Sequence, residues 1–313
     1  MLNQIKLFAI SLFAISMVLN SCTENTTDPN TNPEPKPTAI SNLVATSASS
    51  SDVLLKFTAS PSETNTLFKD YELVVTPGAF APTTFPKGNN IVQVGGLQEG
   101  TEYTFSIVAR YTNDSISTPV SIVWSPATRF ETNNNDEVIR VYESSSDFGS
   151  GLRMFSPNDA APRTYKVTSG SEWDLGIDTR NSKIVFGSAS KIDYNYTGTP
   201  QATQIFESFF EADSLNGLFD SQAMNAGSRD SKFSERTFDL TTANPTKNYV
   251  FYVRKYEPSQ VRYNYAKVMM IKNSSGVGFL QGPSGNRFIA FQISYQKTPD
   301  VPYAKVANNA NSK

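Results

Sequence analysis

Between Leu97 and Ala109 the chain reads LQEGTEYTFSIVA, and the alternation there narrows the fold more than any other stretch. Tyr103, Phe105, Ile107 and Ala109 occupy every second position, so a strand gathers them on one half-buried face. Candidate strands recur at Leu54–Phe57, Tyr71–Val75 and Ile91–Val94, separated by turn residues such as Gly95-Gly96. More follow at Val138–Tyr142, Ile184–Phe186, Tyr249–Arg254, Tyr265–Ile271 and Phe288–Tyr295, where Ile289, Phe291, Ile293 and Tyr295 alternate. So many short strands, rich in Thr, Tyr and Phe, predict an all-β chain. One segment departs from the pattern. Ile205, Phe206, Phe209 and Phe210 recur at helical spacing, which predicts a short amphipathic helix within 202–218, with Glu207 and Glu211 on its other face.

The chain has 313 residues, 38% hydrophobic and 12% aromatic, enough to fill the cores of two domains. A formal net charge of −2 gives no electrostatic footprint for nucleic acid or a membrane surface. There is no histidine. That excludes Ser-His-Asp and Cys-His nucleophile pairs, HExxH metal sites and imidazole proton shuttles together. A single cysteine, Cys22, excludes an internal disulfide. Carboxylate-only chemistry survives, for which Asp174 and Asp178 are the pair to consider. A binding protein, and not an enzyme, is the expectation.

The N-terminus carries Lys6 and then an apolar run from Leu7 to Leu19, too short to span a bilayer but suited to the apolar region of a secretory signal. Leu19-Asn20-Ser21-Cys22 resembles the lipobox of bacterial lipoproteins. The resemblance implies that 1–21 is a signal peptide and that Cys22 becomes the lipidated first residue. Each buried acyl methylene contributes about 0.8 kcal/mol to anchoring. Residues 22–37, rich in Pro, Asn and Thr, read as a disordered tether, and 299–313 as a disordered tail. Glu24 and Asp28 look like the surface-export signals of Bacteroidota lipoproteins, which implies an outer-membrane protein at the cell surface.

Residues 38–130 resemble a fibronectin type III β-sandwich. The features that carry this are Pro37–Leu43 at the opening, Tyr71 in a middle strand, and Leu97, Gly100 and Tyr103 as a tyrosine corner. Phe57 stands where that family usually has tryptophan. Such modules act mostly as spacers or contact platforms.

Asn133–Asp136 is a polar break, and 135–298 reads as a second β-rich domain. Trp173, Leu175 and Ile177 are expected on one face of a strand. Trp173-Asp174-Leu175, the Tyr249–Arg254 strand, Tyr265-Ala266-Lys267-Val268 and Ala290–Gln296 together resemble the HmuY-type family of haem-scavenging lipoproteins. The resemblance implies an all-β body with a haem pocket at one end, serving a TonB-dependent outer-membrane transporter. The two histidines that hold iron in the best-known members do not carry over. Methionine and tyrosine remain as ligand types. Met224, then Met154, are the candidates, because both lie in Ser/Asn/Gly-rich stretches. Met269 and Met270 are adjacent in a strand and point to opposite faces.

A second reading is glycan binding. Tyr194-Asn195-Tyr196, Tyr256 and Tyr263-Asn264-Tyr265 combine flat rings with amides, the equipment for stacking on a pyranose and bonding its hydroxyls. A third is adhesion or a structural role with no small ligand.

Overall fold

The computed structural model describes residues 34–168, 170–194, 197–217, 230–257 and 261–301, and among them every regular element longer than a single turn is a strand. The first seven strands make a sandwich. β1 (Ser41–Ser47), β2 (Val53–Thr58) and β5 (Ile91–Val94) form one sheet. The other runs β4-β3-β6-β7, from β3 (Phe68–Thr76), β4 (Thr83–Phe85), β6 (Tyr103–Tyr111) and β7 (Val120–Trp124). Along β6 every second residue from Tyr103 to Tyr111 is buried, as its alternation predicts.

The tyrosine corner is formed by the Gln98 N–H, which donates to the Tyr103 hydroxyl at 3.0 Å. Gly100, in the same turn, holds φ +83, and a Cβ there would collide with the Thr298 side chain. Phe57 fills the place usually taken by tryptophan, edge-on to Tyr71 at 5.3 Å and 5.9 Å from Phe85. The domain's tryptophan sits instead on β7, where the Trp124 indole N–H donates to Ser47 Oγ at 3.0 Å.

The remaining strands build two further sheets. A five-stranded sheet runs β11-β10-β12-β13-β17. It comprises β10 (Gly151–Ser156), β11 (Ala161–Tyr165), β12 (Leu175–Asp178), β13 (Val185–Ser188) and β17 (Thr237–Asp239). The larger sheet runs β16-β14-β18-β19-β20-β8, with β9 also pairing β20 and β15 also pairing β18. Its members are β8 (Thr128–Phe130), β9 (Ile139–Tyr142), β14 (Thr203–Phe206), β15 (Phe210–Ala212), β16 (Phe233–Ser234), β18 (Asn248–Glu257), β19 (Arg262–Ile271) and β20 (Phe288–Gln296). Leu152, Leu175, Ile177 and Phe186 from the small sheet meet Phe251, Val253, Val268, Phe291 and Ile293 from the large one. Each such side chain contributes roughly 1.5–3 kcal/mol on burial.

The large sheet is covered on both faces. Phe251 and Val253 enter the core between the sheets, whereas Tyr252, Tyr265, Phe206 and Phe233 join the core of the N-terminal sandwich. That is why β18 and β19 carry unbroken runs of buried residues rather than clean alternation. Polar groups are buried at the same junction. Lys267 Nζ donates to the Leu215 carbonyl (2.7 Å) and Thr46 Oγ1 (3.2 Å), and Gln296 Nε2 donates to the Pro126 carbonyl (3.0 Å). The chain enters the large sheet at Thr128, which pairs with Tyr295, ahead of the Asn133–Asp136 turn.

Two expectations are corrected. Residues 203–212 are not helical: β14 and β15 both pair β18, with Ile205 opposite Val253 and Phe210 opposite Val250. Ile205 enters the core between the sheets and Phe206 the N-terminal core, so adjacent apolar residues reflect two-sided burial and not a helical stripe. Trp173 does not share a face with Leu175 and Ile177. It precedes β12 and packs with Ala189 and Ile192 in a separate cluster. Its ring lies so close to Gly151 and Gly176 that a Cβ on either would sit 2.5 Å from an indole carbon.

Candidate functional site

A cleft of about 210 Å³ opens where the ends of β18, β19 and β20 meet β10. Its apolar wall is a stack of rings: Phe155 lies on Tyr295 (5.1 Å, 20° between planes) and next to Phe130 (6.1 Å, 29°). Lys297 caps that stack, its ammonium 5.5 Å from the Phe155 centroid and 3.8 Å from the Glu99 carboxylate. Burial pushes the Tyr295 hydroxyl up from its ordinary value, and the nearby Asp174 and Glu257 carboxylates add to the shift.

Lys255 also lines the cleft and is paired with Asp174 at 2.9 Å, the lysine side chain 11% exposed and the aspartate 1%. Asp174 also accepts the Met154 N–H at 2.9 Å. Withdrawing such a pair from water costs several kcal/mol per ion before their attraction offsets it, so its position at a cleft is informative. Arg153, also on the wall, approaches Glu172 at 3.6 Å, and its buried Nε has no hydrogen-bond partner among the described residues. Asn264 Nδ2 donates to the Gln296 and Lys297 carbonyls, which fixes the mouth of the cleft. The wall therefore offers the half-buried Phe155 ring, backed by the buried Tyr295 and bordered by Arg153, Lys255 and the Glu257 carboxylate.

Several residues singled out in the sequence lie elsewhere. Cys22, Tyr196 and Met224 fall outside the described residues, as do the signal segment, most of the tether and most of the tail. Met154 is not in a loop: it is fully buried in β10, within the core between the sheets. Of the glycines before it, Gly151 signals the close approach of Trp173, whereas Gly149, at φ +104, lies against the Tyr165 backbone. Met269 and Met270 do face opposite ways, and both are buried.

Tyr194 is a framework residue. Its hydroxyl bonds Ser144 Oγ and the Ile177 carbonyl, both at 2.6 Å, and the Arg180 guanidinium lies 4.6 Å from its ring. Burial raises its pKa. Tyr263 is half-buried between the Arg254 guanidinium (4.4 Å) and Tyr256 (5.4 Å), and packs against the N-terminal core, whereas Tyr194 packs with Trp173. The two tyrosines do not form one platform.

The carboxylate pairs are likewise tied into the frame. Asp174 is held by Lys255. Burial acts to raise Asp178, but the bonds from Arg180 outweigh it and hold the carboxyl low. Glu207 pairs with Lys232 at 2.7 Å and Glu211 accepts from Thr246 at 2.6 Å. Among the described residues no group of three or more His, Cys, Asp or Glu side chains is placed to hold a metal ion.

In sequence, no curated protein matches the chain. Among solved structures, the fibronectin type III domain of human collagen alpha-1(XX) is 20% identical, covering 31% of this chain and 92% of its own, with a TM-score of 0.27. A two-domain fibronectin type III segment of chicken tenascin is 13% identical, covering 69% of this chain and 90% of its own, with a TM-score of 0.26. The family model for the fibronectin type III domain matches residues 35–126. The β1–β7 sandwich, with its tyrosine corner, is a fibronectin type III domain.

Proposed function

We propose that the chain is a lipid-anchored, non-catalytic receptor of the outer-membrane surface. Its cleft between β10 and the ends of β18–β20 takes a single sugar ring of a glycan. The fibronectin type III domain then serves as a rigid support. The observation that carries this is the half-buried Phe155 ring, backed by Tyr295, on a cleft wall that also carries Arg153, Lys255 and Glu257. A pyranose presents an apolar CH face to a ring and alternating hydroxyls to such a border. A volume of about 210 Å³ suits one ring; drug-sized ligands occupy upwards of roughly 300 Å³, and haem is larger still.

Haem capture for a TonB-dependent transporter, which the HmuY-type likeness implies, would rest on Met224 without help from Met154, whose side chain belongs to the core. A surface role rests on the Cys22 lipobox and the acidic Glu24 and Asp28.

Calorimetric titration of the full chain in detergent with an oligosaccharide panel, beside a haemin titration read at the Soret band, tests the choice. Binding of an oligosaccharide that Phe155→Ala weakens at least tenfold and Phe155→Tyr preserves is the expected outcome. A saturable Soret shift with no oligosaccharide bound would overturn it in favour of haem.

A further inference from the structure

A second groove, of about 360 Å³, lies where β9 of the large sheet meets β11 of the small one. The two strands are joined there by a hydrogen bond from Thr164 Oγ1 to the Arg140 carbonyl at 2.8 Å. The Arg140 guanidinium rests 4.6 Å from the centroid of Phe288 and has no acidic partner among the described residues. Arg163, on the facing strand, lies 5.3 Å from the Tyr165 ring and, among the described residues, pairs with Asp159 alone, at 3.3 Å, with its side chain 48% exposed.

Arg163 also stands directly opposite Arg153 across the β10–β11 pair, a like-charge juxtaposition that Glu172 beside Arg153 and Asp159 beside Arg163 offset. Beside the arginines, Phe148 packs on Tyr142 at 5.0 Å yet leaves 61% of its surface in solvent. The one carboxylate on the groove wall, Glu137, lies 3.5 Å from the Asn133 amide, and the Asn133 side-chain oxygen accepts the Glu137 N–H.

We propose that this groove is a separate binding site for the carboxylate of an acidic saccharide, a uronic-acid unit. Arg140 and Arg163 take the carboxylate through charge-assisted hydrogen bonds, for which a planar guanidinium is the best-matched donor. Phe148 takes the CH face of the ring. The contacts of Arg140 with Phe288 and of Arg163 with Tyr165 restrict both guanidiniums before the ligand arrives, which lowers the ordering cost of binding. The assignment stands independently of what occupies the cleft.

The test is calorimetric titration of the full chain in detergent with an alginate oligomer and with the same oligomer after carboxyl reduction. The acidic form is expected to bind at least tenfold tighter at low salt, and the difference should shrink as salt screens the arginines. Arg140→Gln should remove that preference, and Arg140→Lys should restore part of it. Equal binding of the two oligomers, or an Arg140→Gln chain that still prefers the acid, overturns the proposal. Loss of the preference in Phe155→Ala, with Arg140→Gln unchanged, would place the acidic sugar in the cleft and overturn it as well.

Discussion

The two halves of the molecule bury polarity in different ways. The fibronectin type III half hides hydroxyls: Thr46, Ser47, Ser60, Ser62, Ser117 and Ser125 are its buried polar residues. The C-terminal half hides hydroxyls too (Ser150, Ser156, Ser188, Thr203 and Ser294), but adds charges and amides: Glu143, Asp174, Lys255, Lys267, Asn264 and Gln296. A hydroxyl is small and readily satisfied by a neighbouring carbonyl, so a sandwich built on them costs little to desolvate. A buried ion pair demands its exact partner. In the C-terminal half such partners concentrate at the junction with the first domain and around the cleft, which are the places where geometry must be unique.

The sharpest way to break that contrast is to unbalance one buried pair. Asp174→Ala leaves Lys255 without its counter-ion and should cost about 3–5 kcal/mol, whereas the double change Asp174→Leu with Lys255→Met should recover most of it. Urea denaturation checks both. The two tryptophans divide the readout, Trp124 reporting the first half and Trp173 the second. Because Phe206, Phe233, Tyr252 and Tyr265 belong to the first domain's core, single-tryptophan chains should show coincident midpoints even though the substitution lies in one half only. Separated midpoints would show that the shared core does not couple them.

Restoring the family's usual tryptophan is the next largest change. Phe57→Trp must fit beside Tyr71 and Phe85 in a full core and should destabilise by about 1–3 kcal/mol in the same assay. Tyr103→Phe, which deletes only the acceptor for the Gln98 N–H, should cost about 1 kcal/mol.

The smallest effect concerns pH. Arg287 bonds the Glu143 carboxylate at 2.8 and 3.1 Å, and these bonds hold Glu143 below its ordinary value against the opposing pull of burial. A depressed folded value means that the stabilisation is complete above the unfolded glutamate's pKa, about 4.3, and is lost as pH falls through the folded value. Thermal midpoints of Glu143→Gln and the parent chain should therefore differ near neutrality and converge in acid. A gap that persists in acid would mean that the pair acts through shape alone.

Much of the first domain was legible because strands such as β2 and β6 bury one face and leave the other partly exposed, the condition under which alternation reports burial. Tyr103 to Ala109 needed nothing more. The second domain defeated the same reading where a sheet is covered twice. Ile205-Phe206 and Phe209-Phe210 imitated a helix because neighbours on one strand serve two different cores. Met154 resembled a loop residue because Gly151 is small for the sake of an indole arriving from Trp173, a contact that only the fold creates. The cleft itself joins Arg153 and Phe155 to Lys255, Asn264 and Tyr295, residues a hundred or more positions further along the chain. Arg254, Lys255 and Glu257, at the end of a strand that is apolar from Tyr249 to Val253, were the local hint.

The segment that leaves the first domain has a further consequence. Thr128–Phe130 and Ile139–Tyr142 lie in series along the same side of β20, pairing residues 293–295 and 288–291 respectively. Without them a nine-residue, largely apolar strand would present an open hydrogen-bonding margin to any neighbouring copy, the usual start of aggregation. The interdomain connection thus doubles as a guard rail, and an insertion that loosened it would invite self-association before it impaired either site.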